Sequence, residues 1–321
     1  MNKLKKVLLF AAALLFVSVS TSFAATVVEK DDFTYKIKGD WQIQLRQDPG
    51  VDQELDVEYD DLELKNSIEY KIDDNLSAFG QLDFGFKNAA DKDDDPHLEE
   101  AYVGISYQDF SLSVGKMGNA ADEFGVEAAY EEPIAEDIFD EVTTLDGDDV
   151  IKGEAKIADM VTVVVTHELS SESETSGNEE FTDVFVGAEV IDGLEISAVY
   201  QTYEDDILTP TQDVTAYGVG VMYDAKVVAL GVDYSVAEDD LAPLMDQSFL
   251  NAVVIVPVGK AKIAAGYQMH EYDDVPANDV DAWYANVTYK LNKNVSTFAE
   301  IAETDEDGTD MGYLAGLRLK F

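Results

Sequence analysis

Cysteine is absent from the 321 residues, and basic side chains are scarce. Without cysteine the chain has neither a disulfide framework nor a thiolate for catalysis or metal binding. Lys and Arg number 21 against 67 Asp and Glu, which gives a formal net charge of −46. Nucleic acid is bound through clustered Lys and Arg, so this excess of acid excludes it as a partner.

Long apolar runs are also missing, except at the N-terminus. Lys3, Lys5 and Lys6 precede an apolar run over 7–19, and small residues end at Ala24, which is the layout of a secretory signal peptide. We predict a signal peptide over 1–24 and one domain over 25–321, with a mature net charge of −49. No later stretch reaches the roughly 18 apolar residues of a transmembrane helix, so a mature chain that spans a membrane must do so with strands.

The mature chain is rich in two-residue alternation instead. Sixteen segments of strand length, separated by turn residues, indicate an all-β fold, a transmembrane antiparallel β-barrel of about 16 strands. Short turns alternate with long acidic loops, which is the expected difference between the periplasmic and the external end. The segments are 33–46, 59–72, 76–87, 98–107, 110–117, 150–157, 160–169, 181–190, 194–203, 214–223, 226–236, 248–257, 260–272, 280–291, 295–302 and 310–321.

The C-terminus and the first segment show how the strands should face. From Met311 to Phe321 every second residue is apolar or small, and the chain stops in mid-strand on an aromatic. A barrel that closes its last strand against its first tolerates such an end, with Phe321 at the lipid interface. A lipid-facing charge costs about 2–4 kcal/mol at mid-bilayer, so the polar face of each strand must line a wet interior. In the first segment Lys36, Lys38 and Arg46 fall on that face.

The third long loop, 118–149, is far longer than a usual connection, and loops of this length are generally functional or disordered. Its apolar residues, such as Phe124 and Phe139, give it material to pack with. A loop folded into the lumen would narrow the channel and line it with negative charge; the alternative is a solvated loop outside. The candidate carboxylates are Asp122, Glu123, Glu127, Glu131, Glu132, Glu136, Asp137, Asp140 and Glu141.

Three sequence runs, 101–107, 110–116 and 123–125, resemble the general porins of Gram-negative bacteria, and the ordered set of features covers essentially the whole mature chain. The resemblance implies a sixteen-stranded homotrimer in outer-membrane lipid and lipopolysaccharide, inserted by the outer-membrane assembly machinery through the strand that ends at Phe321. It also implies an inward third loop that forms the constriction of a channel for small hydrophilic solutes and ions. Neither a cofactor nor a metal is implied.

In that family, acidic loop residues face basic residues on the barrel wall. Lys116 and Lys152 match such wall positions, and facing alone adds Lys36, Lys38, Arg46, Lys65 and Lys71. The chain departs from the pattern at Glu99 and Glu100, where a wall arginine is frequent, and a weaker basic wall favours cations. Charges on outer loops are largely screened beyond a Debye length of about 8 Å. Neutralising Glu131, Glu132, Glu136 and Asp137 should therefore reduce cation preference more than neutralising Asp93, Asp94 and Asp95.

Other functions remain open on the sequence alone. A substrate-specific channel would need an aromatic ladder along the lumen, which the pattern does not show. A structural barrel could bind surface cations through its acidic loops, although their spacing does not match a calcium loop. His97, His167 and His270 fall near the outer ends of strands, where some outer-membrane enzymes place catalytic histidines. With so many acids nearby, such pairings arise by chance, and we expect no enzymatic activity.

Overall fold

The computed structural model describes residues 25–87, 96–169, 179–205, 212–239, 246–273, 278–306 and 308–321. The predicted signal peptide, 1–24, and the acidic run Asp93 to Asp95 lie outside these residues.

The described residues form seventeen strands. They are β1 Ala25–Lys30, β2 Phe33–Gln47, β3 Asp56–Lys71, β4 Leu76–Gly85, β5 His97–Tyr107, β6 Phe110–Gly118, β7 Asp146–Ile157, β8 Val161–Glu168, β9 Glu179–Ile191, β10 Leu194–Asp205, β11 Gln212–Asp224, β12 Ala229–Asp239, β13 Gln247–Val258, β14 Ala261–Tyr272, β15 Val280–Lys290, β16 Val295–Thr304 and β17 Gly312–Lys320.

The sixteen strands from β2 to β17 close into a barrel. Each pairs antiparallel with the next along the chain, and β17 returns to β2 with Lys320 opposite Asp40 and Leu317 opposite Ile43. Closure satisfies the backbone donors and acceptors that lipid cannot satisfy. The predicted all-β, sixteen-stranded antiparallel barrel is confirmed.

The first strand, β1, was not predicted. It forms a hairpin with the start of β2, with Lys30 opposite Phe33 and Ala25 opposite Ile37. This part of β2 lies beyond the end of β17, because Phe321 already exchanges backbone hydrogen bonds with Gly39 (2.8 and 3.0 Å). β1 therefore covers a stretch of edge that β17 is too short to reach.

The barrel carries apolar side chains on its outer face and polar side chains on its inner face, the reverse of a water-soluble protein. On β12 the side chains of Leu230, Val232 and Tyr234 are exposed outward, whereas Asp233 and Ser235 are 1% and 0% exposed and point inward. An apolar band of this kind on every side is suited to lipid and not to water. Phe321 belongs to the outward face: its ring lies 5.4 Å from that of Trp41, in an edge-on contact.

The connections fall into a short-turn end and a long-loop end. At the short-turn end Gln108 and Gly193 adopt positive φ (53° and 82°), as tight hairpin turns require. At the other end β7 starts at Asp146 and not at residue 150, so the third loop spans 119–145. That loop contains a single 3₁₀ turn, Ala121–Glu123, and a short helix, α1, Ile138–Val142. Among the described residues, no helix has the length and hydropathy to cross a membrane.

Candidate functional site

The third loop lies inside the barrel, where the inner wall holds it along its outward path. Asp183 on β9 accepts the backbone N–H groups of Ala120 and Ala121, both at 3.0 Å. Asp233 on β12 accepts from Val126 at 2.9 Å. Farther round the wall, Glu300 on β16 accepts from the N–H groups of Tyr130 and Glu131 at 2.8 and 3.1 Å. Three wall carboxylates therefore bind the loop backbone in sequence order.

The return path of the loop is held mainly by amide side chains. Gln268 on β14 donates to the carbonyl of Ala135 at 2.7 Å, and Asn251 on β13 donates to that of Glu136 at 2.6 Å. Gln201 on β10 donates to the carbonyl of Thr144 at 3.1 Å. The loop thus crosses the inner wall from β9 to β16 and comes back, while β2 to β6 face it across the lumen. We call β9 to β16 the holding wall and β2 to β6 the facing wall.

Apolar packing fixes the loop between these hydrogen bonds. Phe124 and Phe139 meet edge-on at 5.8 Å and join a cluster with barrel residues such as Phe181 and Phe249. Gly218 makes room for this contact, since a Cβ there would lie 2.6 Å from the ring of Phe124. At the far end the ring of Tyr130 stacks on Phe298 with centroids 3.9 Å apart, and its hydroxyl lies 2.6 Å from that of Thr288.

Two of the predicted basic wall residues meet predicted acidic loop residues. Arg46 on β2 donates to Glu131 at 2.8 Å, and Gln44 donates to the same carboxylate at 2.6 Å. Lys152 on β7 lies 3.6 Å from Glu123 and donates to the carbonyl of Gly118. These contacts link the tip and the start of the loop to strands outside the holding wall.

The other predicted basic residues do not contact the loop carboxylates in any described contact. Lys116 pairs with Asp148 at 2.5 Å, and Lys65 pairs with Glu63 at 2.9 Å. Lys36 lines an open lumen cavity of about 250 Å³ on the facing wall. Lys38 is exposed and lies opposite Lys65 on the paired strands β2 and β3. Lys71 lies near the short-turn end of β3. The structure therefore spreads these residues along the lumen and does not gather them opposite the loop.

The facing wall is itself rich in acid. Asp83 on β4 lies 3.7 Å from Lys65 and accepts from Gln81, which also donates to Glu100 on β5. The departure seen in the sequence, acid at Glu100 where a basic residue is frequent, thus places a carboxylate in the lumen.

Surroundings shift the pKa values of the loop carboxyls upward. Burial, with a contribution from Glu123, raises the pKa of Asp122 to about 6, and burial with Glu136 raises that of Glu132 to about 8. Burial raises the pKa of Glu131 to about 7; Asp60 adds to this and Arg46 opposes it. Burial also raises the pKa of Glu127, whose Oε2 has no hydrogen-bond partner among the described residues. The loop therefore concentrates acidic groups that ionise near neutral pH.

The remaining predicted carboxylates have separate environments. Asp137 is buried and caps α1 by accepting from the N–H groups of Phe139 and Asp140, which oppose the upward effect of burial on its pKa. Glu136, Asp140 and Glu141 are exposed. Asp137 thus holds the loop together, a role that its sequence position next to a helix start could have indicated.

The three histidines lie on different strands. His270 is buried and lies 2.6 Å from Gln247, and His167 contacts the carbonyl of Phe181 and the hydroxyl of Thr182. His97 lies 3.7 Å from Glu99. In the described part of the chain, no group of three or more His, Asp or Glu is arranged to hold a metal ion.

Comparison with known proteins identifies the family. A family model described as "Gram-negative porin" matches residues 11–309. The chain belongs to the Gram-negative porin family. This porin is 25% identical over 340 aligned positions to Porin-like protein H of Photobacterium profundum, covering 98% of this chain and 99% of that one.

Solved structures share the fold of this porin. A trimer form of OmpT of Vibrio cholerae matches with a TM-score of 0.76 and 19% identity, covering 91% of this chain and 100% of that one. An anion-selective porin from Comamonas acidovorans matches with a TM-score of 0.73 and 11% identity, covering 90% and 100%. Family and fold place this porin in the outer membrane and are those of a channel rather than of an enzyme.

Proposed function

We propose that this porin is a passive diffusion channel for small hydrophilic solutes and ions, that it favours cations, and that it catalyses no reaction. The observation that carries the proposal is the third loop, held across the lumen with Asp122, Glu127, Glu131, Glu132 and Glu136 on it. Fixed charges close to a permeating ion are poorly screened, so they raise the local concentration of cations. An anion-selective porin has a similar fold, so the preference for cations or anions must depend on the side chains and not on the fold.

The cation preference follows from the balance of charge around the loop. Arg46 and Lys152 each contact one loop acid, whereas no basic side chain contacts Glu127 in the described contacts and the facing wall adds Asp83 and Glu100. The lumen at this level therefore holds more carboxylate than base. Protonation of some loop acids at neutral pH reduces this excess and makes the preference depend on pH.

The test is the reversal potential of the purified porin in a planar bilayer under a KCl gradient. We expect stepwise openings with a cation-selective reversal potential. The variant Asp122→Asn, Glu127→Gln, Glu132→Gln, Glu136→Gln should move that potential toward zero, because it removes four ionisable loop carboxyls and none of the wall anchors.

The matched control removes four exposed acids from the long-loop end: Asp52→Asn, Glu54→Gln, Glu306→Gln, Asp310→Asn. These charges lie outside the loop, so their loss should change the reversal potential much less. Equal shifts in the two variants would rule out the third loop as the selective element. A folded barrel without conductance would rule out the channel.

The proposed assembly is a homotrimer in outer-membrane lipid and lipopolysaccharide. The trimer form of the Vibrio cholerae relative supports it. We further propose that residues 1–24 are removed as a signal peptide, and that the outer-membrane assembly machinery recognises the last strand through Phe321, which lies on the lipid-facing side. Cross-linking of the native membrane tests the trimer: a monomeric band alone would contradict it.

A further inference from the structure

The few basic residues of the barrel are unevenly placed along its axis. Four of them, Lys262, Lys290, Arg318 and Lys320, lie on the inward face of β14, β15 and β17, within the successive strands β14 to β17, near the short-turn end. Their inward direction follows from the alternation, since Ile263, Tyr289 and Leu319 beside them are exposed on the lipid face. We call these four residues the basic patch.

The sheet register places the members of the basic patch close together. Lys290 is opposite Ser296 on β16, and Ser296 is opposite Arg318 on β17. Adjacent strands lie about 4.8 Å apart, so the backbones of Lys290 and Arg318 are separated by about 10 Å. Lys262 is opposite Thr288, two residues from Lys290 on the same face of β15. Four positive side chains thus share a small area of the lumen wall.

One acid, Asp40, is paired with the basic patch in the described contacts. It accepts from the Nε and Nη2 atoms of Arg318, both at 2.8 Å, and lies 2.7 Å from Lys320. Within the described part of the chain, no acidic side chain pairs with Lys262 or Lys290. Because Asp40 offsets one of four charges, the patch keeps a net positive charge.

The basic patch lies directly below the acidic loop along the pore axis. Tyr130 at the tip of the loop contacts Thr288 and Phe298, and Glu300 binds the loop backbone one step farther toward the long-loop end. Four residues separate Glu300 from Ser296 on β16, or about 14 Å along the strand at about 3.4 Å per residue. This distance exceeds the Debye length of about 8 Å at physiological ionic strength, so salt largely screens Glu300 from this part of the patch.

The rest of the short-turn end does not cancel the basic patch. On the inward face of the other strands five acids are accompanied there by four lysines, so this part of the wall has one net negative charge, which is smaller than the net positive charge of the basic patch. The acids are Glu69, Glu154, Glu189, Glu195 and Asp224, and the lysines are Lys36, Lys38, Lys71 and Lys156.

We propose that the acidic loop and the basic patch, placed in series along the lumen, make this porin conduct ions more readily in one direction. The inference rests on the proposed channel function. When the long-loop side is positive, cations enter through the acidic zone and anions through the basic zone, so both carriers accumulate in the lumen. With the opposite sign both carriers are drawn out through the zone that concentrates them, and the junction is depleted. Conductance is therefore higher with the long-loop side positive.

The test is the current–voltage curve of single insertions in symmetric KCl. We expect asymmetric conductance at about 0.1 M, where the Debye length is about 10 Å, and a nearly symmetric curve at about 1 M, where it is about 3 Å. Orientation is assigned with Val51→Cys in the otherwise cysteine-free chain, because Val51 is exposed in a connection at the long-loop end. A membrane-impermeant maleimide polymer should alter the current only when added on that side.

The deciding variant is Lys262→Gln, Lys290→Gln, Lys320→Gln, which leaves the Arg318–Asp40 pair in place. It should lose the asymmetry while still conducting. The control Lys226→Gln, Lys260→Gln, Lys293→Gln removes three lysines from the short turns and should retain it. Symmetric current from the unaltered porin, equal loss in both variants, or the opposite direction of easy conduction would overturn the inference and leave the channel itself established. Absence of any current would overturn the proposed function.

Discussion

Acidic side chains have different roles on the holding wall and on the facing wall. On the holding wall Asp183, Asp233 and Glu300 accept backbone N–H groups of the third loop. On the facing wall Asp83 and Glu63 surround Lys65 instead. The difference shows that lumen carboxylates position the loop on the holding wall, whereas on the facing wall they pair with a lysine.

This comparison also separates two groups of acids on the loop. Asp137 caps α1 and is buried, so its loss would disturb the loop itself. Glu127 and Glu132 neither cap a helix nor bind the barrel wall in the described contacts, so their replacement should change the charge of the loop and not its position. Selectivity and loop position can therefore be changed independently, by choosing residues from one group or the other.

The largest effect should come from removing an anchor of the holding wall. Asp183→Leu removes this acceptor from the N–H groups of Ala120 and Ala121, which keep only their contacts with Thr166 and Asn119, and a hydrogen bond to a charged group is worth about 1.5–3 kcal/mol. We expect a lower unfolding temperature and faster proteolysis between residues 119 and 145. Asp183→Asn retains an acceptor oxygen and should behave nearly like the unaltered chain. If both variants stay as stable and as protease-resistant as that chain, Asp183 does not hold the loop.

A slightly smaller effect is expected from filling the space under Phe124. Gly218→Val would place a Cβ 2.6 Å from the ring of Phe124, and such overpacking costs about 1–3 kcal/mol. The loop should move and the single-channel conductance should change. Gly153→Val is the control, because its Cβ would meet only the carbonyl oxygen of Val165, at 4.0 Å. The same conductance change in both variants would point to the strand and not to the loop.

A change of pH alters the charge of the loop without a mutation. Because the pKa values of Asp122, Glu131 and Glu132 are raised to about 6, 7 and 8, these groups should ionise between roughly pH 5 and 9. Cation preference should therefore increase with pH over this range, as measured by the reversal potential. The folded state binds more protons than the unfolded state there, so the free energy of unfolding should decrease as pH rises. A reversal potential that stays constant over this range would contradict the assignment.

The smallest effect concerns the tip of the loop. Tyr130→Phe keeps the stacking on Phe298 but loses the hydroxyl contact with Thr288, and one such hydrogen bond is worth about 0.5–1.5 kcal/mol. We expect a slightly lower unfolding temperature and unchanged selectivity. Tyr130→Ala removes the stacking as well and should lower the temperature further. An equal loss in Tyr130→Phe and in Tyr130→Ala would show that the stacking contributes nothing.

Alternation in the sequence was sufficient to predict most of the barrel, because a strand between lipid and water must alternate in polarity. It placed Arg46 on the lumen side and Phe321 on the lipid side, as found. The strand β1 was not predicted. It covers the start of β2, which β17 is too short to reach, and this gap is visible only once β17 is paired with β2. The start of β7 was also placed too late, because Asp146 and Gly147 resemble loop residues.

By itself, the sequence determined the strand periodicity, the polarity of the two barrel faces and the excess of acid, since each depends on local residue type. Only the tertiary structure decided what the acids do. Asp183 meets Ala121 across 62 positions and Glu300 meets Tyr130 across 170, so no local pattern could pair them. In the same way, strand pairing brings Lys262, Lys290 and Arg318 together within the successive strands β14 to β17, and closure of the barrel against β2 adds Asp40 to them. A charge acts on an ion through its position in space, and the strand register sets that position.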